Sequence, residues 1–400
     1  MKVIFVVDGR SPIALNWIRY FAKREHEVHL ASIYPCQPDL DLASLSIIPV
    51  AFSGAVVSGG QDKTGAGVKS RLLKAIATPK IRTWLRQRFV PRSLPKAADQ
   101  LGSLISEIQP DIVHAMRIPY EGMLAATVFS ALSTPRCPLL VSIWGNDFTL
   151  HAPATQQMTR LTRFTMEHAD GLHTDCYRDQ SLAKKWGFNP AKPAVVLPGG
   201  GGIQLDIFRL PTPTERSKAT AQVVINPRGL RAYVRNDTFF KAIPLVLEKK
   251  PQARFVCPTM AGAPEAERWV NELGIRHAVT LLPQQSRAEM ANLFRQAQVV
   301  VSPSTHDGTP NTLLEALACG CFPVVGDIEP LREWITQGKN GFLVDPTDPQ
   351  ALADAMITAL QKTELRAQAQ KFNSRLIIER AEYQHSMEQA EDFYQSLIAS

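Results

Sequence analysis

The sequence lacks any apolar run close to the roughly 20 residues that a transmembrane helix needs. It also lacks the pattern of a secretory signal, because its start, MKVIFVVDGRSPIAL, has five consecutive apolar residues followed by an aspartate. That start is typical of a first β-strand. These absences predict a protein that stays in the cytoplasm.

Cysteine is scarce and scattered. The six cysteines are at positions 36, 137, 176, 257, 319 and 321, and only the last two are close together. A C-x-C pair supplies at most two ligands, and no histidine stands near it in the spacing of a zinc site. The sequence therefore predicts reduced structural thiols and no metal site.

Acidic residues are absent between Asp62 and Asp99, although ten lysines and arginines lie there and the whole chain has a net charge of +7. Within the segment 69–92, which we call the basic segment, apolar residues recur at roughly helical spacing. Such a helix can lie on an anionic surface, here the cytoplasmic face of a membrane, or meet an anionic acceptor. It can equally be a core-facing helix with a solvated basic side. Nucleic-acid binding is a third reading, which we do not expect to hold.

The chain does contain a regular alternation of β-rich and helical segments, and its 400 residues suggest two or three domains at about 150 residues each. Strands that are apolar on both faces and alternate with helices predict parallel, doubly wound sheets. The predicted strands are 3–7, 27–33, 45–51, 111–116, 139–144, 171–175 and 194–198, then 222–226, 254–257, 279–282, 299–302, 322–325 and 341–344.

A Gly- and Pro-rich stretch, LPGGGGIQLDIFRLPTPTERS, separates the two series of strands. We therefore predict two Rossmann-like domains, at 1–204 and 205–369, facing each other across a cleft at the carboxyl ends of their strands. The tail reads as one amphipathic helix over 370–398, and we expect the segment 370–400 to pack back on the N-terminal domain.

The stretch STHDGTPNTLLEALACG follows the predicted strand 299–302 and holds two acids, Asp307 and Glu315. Thr309 and Pro310 predict a capped helix start, and Gly308 lets the backbone approach a ligand closely. The amides of Asn311 and Thr312 would then be free to bind a phosphate. Glu315 is two turns into the helix, where its natural role is to accept hydrogen bonds from sugar hydroxyls. A purely structural capped helix would explain part of this pattern.

Three arginines, Arg228, Arg231 and Arg235, follow the first strand of the C-terminal half. Arginine can neutralise a diphosphate with two parallel hydrogen bonds. A lone arginine in a loop is usually solvated, but three of them beside a helix start and two acids favour an anion site.

The run SPSTHDGTPNTLLEALACGCFPVVGDIEPLREWITQGKNGFLVDPTDPQALADAM resembles the donor-binding region of the retaining GT-B-fold glycosyltransferases of family 4 (group 1). LPGGGGIQLDIF and FAKREHEVHLAS resemble two further segments of that family. The resemblance implies that Glu315 binds the ribose of a nucleotide sugar and that Asp307 lies near the donor sugar. It also implies that Arg228, Arg235 and the amides of Asn311 and Thr312 hold the diphosphate.

The sequence departs from the family pattern at several of these positions. Asp307 stands where the family has a glutamate, and Arg235 replaces a lysine. In the N-terminal half, SIWGNDF has Trp144 at the strand end where the family often has a histidine, and Asp147 follows it. His151 is either a substitute for that histidine or a surface residue. DGRSPIALNW lacks the family's double glycine. Gly9, Arg10 and Ser11 are the candidate acceptor or phosphate contacts in this loop.

The sequence thus predicts a retaining glycosyltransferase that moves a sugar from a nucleoside diphosphate, UDP or GDP, to a glycan, lipid-linked or small-molecule acceptor. No D-x-D lies at a strand end in the cleft, so we expect arginines rather than a metal to stabilise the departing diphosphate. Two alternatives stay open: a nucleotide-sugar-binding protein without transferase activity, and a related phosphorylase or epimerase.

Overall fold

The computed structural model describes residues 1–50, 93–132, 136–218 and 222–400, so the basic segment lies outside the described residues. The described chain divides into two compact units, one made of residues 1–201 with 387–400 and the other of residues 202–386. Among the helices that are described, none is both long enough and apolar enough to cross a membrane.

The first unit is built on a seven-stranded parallel sheet with the order β3-β2-β1-β4-β5-β6-β7. Its strands are Lys2–Val7 (β1), Glu27–Ser32 (β2), Ser44–Ile47 (β3), Ile112–Ala115 (β4), Leu139–Ile143 (β5), Gly171–Thr174 (β6) and Ala194–Val196 (β7). Its helices include Pro12–Ala22, Leu94–Ile108, Met123–Phe129, Gln156–His168 and Tyr177–Lys185, with a π-helical turn at Asp147–His151. Every residue of β4 and β5 is buried, as a parallel sheet covered on both faces requires.

The second unit has a six-stranded parallel sheet with the order β10-β9-β8-β11-β12-β13. Its strands are Gln222–Ile225 (β8), Ala253–Cys257 (β9), Val279–Leu281 (β10), Val299–Ser302 (β11), Phe322–Gly326 (β12) and Phe342–Val344 (β13). Its helices include Pro213–Lys218, Asn236–Lys249, Pro264–Glu272, Arg287–Gln296, Asn311–Ala318, Glu329–Arg332, Pro349–Gln361 and Thr363–Ala381. The predicted strands and the α/β class of both halves are confirmed.

The tail differs from the single helix predicted over 370–398. It forms two helices, Thr363–Ala381 and Tyr383–Ala399, separated by an extended residue, Glu382. Glu382 pairs with Ile203 in an isolated bridge: the Ile203 N–H donates to the Ala381 carbonyl at 2.7 Å, and the Tyr383 N–H donates to the Ile203 carbonyl at 3.1 Å. Gly202 permits this approach, because a Cβ there would lie 2.6 Å from the Ala381 oxygen.

The helix Tyr383–Ala399 contributes Tyr394 to the core of the first unit. Tyr394 is completely buried, and its hydroxyl accepts a hydrogen bond from the Trp17 indole at 3.1 Å. One turn earlier, Glu391 accepts from the Tyr20 hydroxyl at 3.0 Å and lies 2.8 Å from His26 Nε2. Apolar burial and side-chain hydrogen bonds therefore both fix the end of the chain to this unit.

Candidate functional site

The connections of the second sheet reverse direction between β8 and β11. β8 continues to β9 and β10 on one side, whereas β11 continues to β12 and β13 on the other. β8 and β11 are hydrogen-bonded neighbours, with Val224 opposite Val299. Ligands of open α/β sheets bind beyond the carboxyl ends of strands at such a switch point, so the loops 226–235 and 303–310 form the candidate donor site.

Two buried asparagines shape the loop after β8. Asn226 donates to the Asn236 side chain at 2.9 Å, and Asn236 in turn donates to the Gly229 carbonyl at 3.0 Å. The Asn226 side-chain oxygen accepts from the Arg228 N–H at 3.2 Å. These bonds hold the backbone at Arg228 in one conformation, which limits where its side chain can reach.

The two loops are also bonded to each other. The Arg235 N–H donates to the Pro303 carbonyl at 3.0 Å, and Val234 and Ser304 form an antiparallel bridge. Gly326, at the end of β12, leaves room for this arrangement, because a Cβ there would lie 2.3 Å from the Ser304 oxygen. Backbone hydrogen bonds between the two loops therefore fix the positions from which the candidate side chains extend.

Arg228 joins the residues that the sequence placed far apart. Its Nη2 donates to the Asp307 carboxylate at 2.6 Å, and its Nη1 donates to the Thr312 hydroxyl at 3.1 Å. Its side chain is 7% exposed, and that of Asp307 is 14% exposed. The Arg228 Nε is buried and has no hydrogen-bond partner among the described residues. The guanidinium thus stands at the start of the helix Asn311–Ala318 with part of its donor capacity unused.

The start of this helix differs from the sequence prediction at Thr309. Pro310 occupies the N-cap position, and no described side chain accepts a hydrogen bond from the first amides of the helix. The Thr309 hydroxyl instead accepts from the Trp334 indole at 2.9 Å, and both groups are buried. Since Thr309 does not cap, the amides of Asn311 and Thr312 have no acceptor within the described part of the chain. They are the type of group that binds anions at helix starts.

The remaining predicted residues of this unit lie around the same loops. Gly308 is buried between Asp307 and Thr309, and Gly320 ends the helix with a φ of +87°. Arg235 pairs with a different aspartate from the one that Arg228 contacts. Its guanidinium donates two hydrogen bonds to the Asp237 carboxylate, at 2.8 and 2.7 Å. That hydrogen-bonded pairing raises the pKa of Arg235 and lowers that of Asp237. Arg231 supports the loop by donating to the Arg228 carbonyl at 3.0 Å.

Glu315 lies one turn beyond Thr312 with an unusual environment. Burial raises the pKa of its carboxyl group to about 7, opposed by the positive charge of Arg287. The residue is half-buried, and Arg287 is the one charged group that acts on its carboxyl among the described residues. A carboxylate in such a place costs stability unless something donates hydrogen bonds to it, as ligand hydroxyls would.

In the first unit, the predicted residues after β1 have structural partners. Arg10 forms two hydrogen bonds to Asp8, both at 2.8 Å, and its guanidinium lies 3.7 Å above the Tyr34 ring. Ser11 caps the helix Pro12–Ala22 by accepting from the Ala14 N–H at 3.4 Å. The Gly9 N–H donates to the Ser32 hydroxyl at 3.1 Å.

A second predicted group follows β5. The Asp147 carboxylate is 1% exposed and accepts from Arg117 Nε at 2.8 Å, from the Trp144 N–H at 3.1 Å and from the Ile118 N–H at 3.3 Å. Burial raises the pKa of Asp147, and Arg117 opposes that rise. The Trp144 Nε1 is buried with no partner among the described residues. His151 ends the π-helical turn that Asp147 begins.

The sequence reading missed the acids after β6. Asp175, Cys176 and Asp179 are buried and are the one group within the described ranges whose ligand atoms lie close enough to hold a metal ion. Arg178 already supplies a cation there, since its Nε and Nη2 donate to Asp179 at 2.9 and 2.7 Å and its Nη2 also donates to the Gly145 carbonyl at 2.6 Å. Burial raises the pKa of the Cys176 thiol and raises that of Asp179 to about 6. Asp175 is the last residue of the predicted strand 171–175 and Asp179 lies four positions later, which was the signal available in the sequence.

Two family models match the chain, one in each half. Residues 9–200 match the model of the glycosyl transferase 4-like domain, and residues 213–375 match that of the glycosyl transferases group 1. The D-inositol 3-phosphate glycosyltransferase of Mycolicibacterium paratuberculosis is 32% identical over 183 residues, which is 43% of this chain and 40% of that protein. The Mycobacterium bovis protein of the same name is 32% identical over 179 residues, 42% of this chain and 36% of its own length. The chain thus matches less than half the length of these curated relatives.

Solved structures with the same fold cover the whole chain. HepE of Anabaena in complex with UDP-glucose superposes with a TM-score of 0.72 at 15% identity, over 99% of this chain and 100% of that one. Sucrose-phosphate synthase of Thermosynechococcus elongatus gives a TM-score of 0.74 at 15% identity and covers 100% of both chains. At this identity the likeness shows the fold. With both family models matched in order along it, the chain belongs to the group 1, family 4 glycosyltransferases of GT-B fold.

Proposed function

We propose that this protein transfers a sugar from a nucleoside-diphosphate sugar to a hydroxyl of an acceptor, with retention of the anomeric configuration and without a metal ion. The observation that carries this proposal is the cluster at the start of the helix Asn311–Ala318. It combines a buried guanidinium at Arg228, amides at Asn311 and Thr312 without an acceptor in the described residues, and the half-buried carboxyl group of Glu315. An anion and a polyol joined in one molecule would satisfy all of these groups.

The donor class follows from this division of charge. The amides and Arg228 suit a diphosphate, with Arg235 as a second cation, and Glu315 suits the hydroxyls of a ribose. HepE, which shares the fold, was crystallised with UDP-glucose and with UDP, and this supports UDP-sugars as the first donors to test, with GDP-sugars next. Asp307 and Gly308 would face the sugar itself.

In the proposed reaction, negative charge grows on the diphosphate oxygen that leaves and must be stabilised there. The bond between the anomeric carbon and the diphosphate oxygen breaks while the acceptor oxygen bonds to the same carbon. Retention brings the acceptor to the face that the diphosphate leaves, so the leaving oxygen can take the acceptor's proton. Arg228, Arg235 and the helix amides would stabilise the growing negative charge, which is the task that a metal ion performs in other transferases.

The first unit would hold the acceptor, and its proposed contacts are Gly9, Arg10, Ser11, Trp144, Asp147 and His151. The partnerless indole N–H of Trp144 is the clearest of these, because it can donate to an acceptor oxygen. The basic segment can meet an anionic membrane surface or an anionic acceptor, which supports a glycan or lipid-linked acceptor. The curated relatives act on D-inositol 3-phosphate, so a phosphorylated polyol is the small-molecule acceptor to test.

The experiment that tests the proposal measures donor binding and turnover together. UDP-glucose, UDP-N-acetylglucosamine and GDP-mannose should be titrated calorimetrically into the full chain and into Arg228→Ala, and each donor's hydrolysis and transfer followed. We expect one donor to bind with a micromolar to millimolar Kd and Arg228→Ala to weaken it by about 10- to 100-fold, the size of one or two charge-assisted hydrogen bonds. Equal binding to both proteins would reject the assignment of the site. Binding without any turnover would favour the non-catalytic alternative, which the loss of the family's histidine at Trp144 also favours.

A further inference from the structure

The two arginines proposed to meet the diphosphate are each paired with an aspartate, but the two pairs differ in exposure. Arg235 and Asp237 are 35% and 32% exposed, so water screens their attraction. Arg228 and Asp307 are 7% and 14% exposed and lie 2.6 Å apart. Only the second pair is sheltered enough for each partner to depend strongly on the other for its charge balance.

The buried pair occupies the place where an external anion is expected. The Arg228 guanidinium stands against the Thr312 hydroxyl at the start of a helix, where the helix dipole is also positive. The guanidinium and the helix dipole together would be unfavourable there without a counter-ion, and the Asp307 carboxylate is that counter-ion. The carboxylate of Asp307 therefore satisfies the Nη2 group that a diphosphate would also use.

We propose that Asp307 is an internal counter-ion that the diphosphate of a donor must displace from Arg228, and that this exchange makes the site prefer a sugar nucleotide to the bare nucleoside diphosphate. The inference rests on the proposed function, because it assumes that the site takes a nucleoside diphosphate. It goes beyond it by giving Asp307 a role in selectivity through Arg228.

The preference follows from what happens to the displaced carboxylate. A bare nucleoside diphosphate takes the Arg228 donors and leaves Asp307 half-buried and unpaired, beside new negative charge, which costs free energy. A donor that carries a sugar brings hydroxyl groups to the same place, and these can donate to Asp307. The same exchange runs backwards after transfer, when Asp307 recovers Arg228 and helps to expel the diphosphate product.

The experiment compares three ligands on three proteins by isothermal titration calorimetry. The ligands are UDP, UDP-glucose and inorganic pyrophosphate, and the proteins are the wild type, Asp307→Asn and Asp307→Glu. We expect Asp307→Asn to bind UDP and pyrophosphate about tenfold more tightly than the wild type, because the competing charge is gone. UDP-glucose should gain less, so the preference of the site for UDP-glucose over UDP should fall. Asp307→Glu keeps the charge and should keep the wild-type order.

Glu267→Gln is the matched control, because it removes the acid of an exposed ion pair with Arg276 on the helix Pro264–Glu272. It should leave all three affinities unchanged. Asp307→Ser serves as a second charge-removing variant should the asparagine variant fail to fold, which thermal unfolding reports.

The outcomes separate the two proposals. If UDP binds the wild type but binds Asp307→Asn no more tightly, the counter-ion role is overturned and the donor site stands. If the wild type binds none of the ligands and Asp307→Asn binds UDP, the counter-ion role is supported in a stronger form. If no protein binds any ligand, including GDP and GDP-mannose, both proposals fall.

Discussion

The Ser142 hydroxyl lies 2.7 Å from Nδ1 of His173, inside the core of the first unit. It is one link in a buried chain that runs from Trp17 through Tyr394, His114, Ser142 and His173 to the Leu197 carbonyl. The indole of Trp17 can only donate and the carbonyl can only accept. Burial lowers the pKa of both histidines, which favours neutral rings. With neutral rings, His173 donates to the Leu197 carbonyl, so Ser142 donates to His173, His114 donates to Ser142, and Tyr394 donates to His114.

This proton order predicts that the protein loses stability in mild acid. Burial lowers the pKa of His173 to about 4, against about 6.5 for a histidine in an unfolded chain. Between these values the unfolded state binds a proton that the folded state does not, so the free energy of unfolding falls as the pH drops from about 6.5 to about 4. The full effect is about 3 kcal/mol from this one residue. Burial also lowers the pKa of His114, which adds to the same trend.

Urea unfolding at pH 7.5, 6, 5 and 4.5 measures this effect, and His173→Gln isolates it. The variant should be less stable than the wild type at pH 7.5, and the difference should shrink as the pH falls. His277→Gln, at an exposed position, should follow the wild-type curve. A constant difference between His173→Gln and the wild type would show that His173 titrates alike in both states.

The pKa of Glu315 predicts the opposite dependence: the free energy of unfolding should fall as the pH rises. Its folded pKa of about 7 lies above the usual value of 4.5, so folding favours the neutral carboxyl group. The contribution is present below about pH 4.5 and is lost as the pH rises through about 7. Glu315→Gln should therefore raise the free energy of unfolding by about 1 kcal/mol at pH 8, should have little effect at pH 4, and should weaken donor binding.

The matched control for Glu315→Gln is Glu289→Gln. Hydrogen bonds with Ser286 at the start of the helix Arg287–Gln296 lower the pKa of Glu289, so its stabilisation is present above about pH 4.5 and is lost in acid. Glu289→Gln should lower stability at pH 8 and leave donor binding unchanged. If Glu315→Gln also destabilises at pH 8 without touching donor binding, its carboxylate has a structural role.

Metal removal should leave donor binding and transfer unchanged. Arg228, Arg235 and the amides at Asn311 and Thr312 are proposed to stabilise the departing diphosphate, so no ion is required for that step. Dialysis against EDTA, followed by activity assays with and without added Mg²⁺ or Mn²⁺, measures this. Loss of transfer in EDTA that Mn²⁺ restores would contradict the prediction and would direct attention to the carboxylates of Asp175 and Asp179.

The strands were predictable from the sequence because apolar runs bounded by turn residues depend on local pattern alone. The contacts that complete the candidate site were not. Arg228 and Asp307 are 79 positions apart in the chain, and although the sequence places both at the donor site, it does not show that their side chains bond to each other. Thr309 has the local pattern of a cap, but its hydroxyl binds Trp334, 25 positions later. The tail helix breaks at Glu382 because Ile203 pairs with it, which no periodicity in the tail could reveal.

The basic segment predicts binding to anionic membranes and lies outside the described residues, so solution experiments must decide it. Each lysine or arginine near an anionic surface contributes about 1 kcal/mol, and salt screens that attraction. Flotation with vesicles of phosphatidylcholine alone and with 30% phosphatidylserine should recover the protein only with the anionic vesicles. Recovery should fall as the salt concentration rises.

Two variants of equal charge change separate a specific segment from net charge. Replacing Lys80, Arg82, Arg86 and Arg88 with glutamine should abolish flotation, because it removes four charges from one helical pattern. Replacing the four exposed lysines 241, 249, 362 and 371 with glutamine lowers the net charge equally and should leave most of the binding. Equal loss in both variants would mean that the overall charge of the protein, rather than this segment, attracts it to the surface. Equal recovery with neutral and anionic vesicles would leave the solvated basic helix as the better interpretation, and the acceptor would then be sought among water-soluble glycans and phosphorylated polyols.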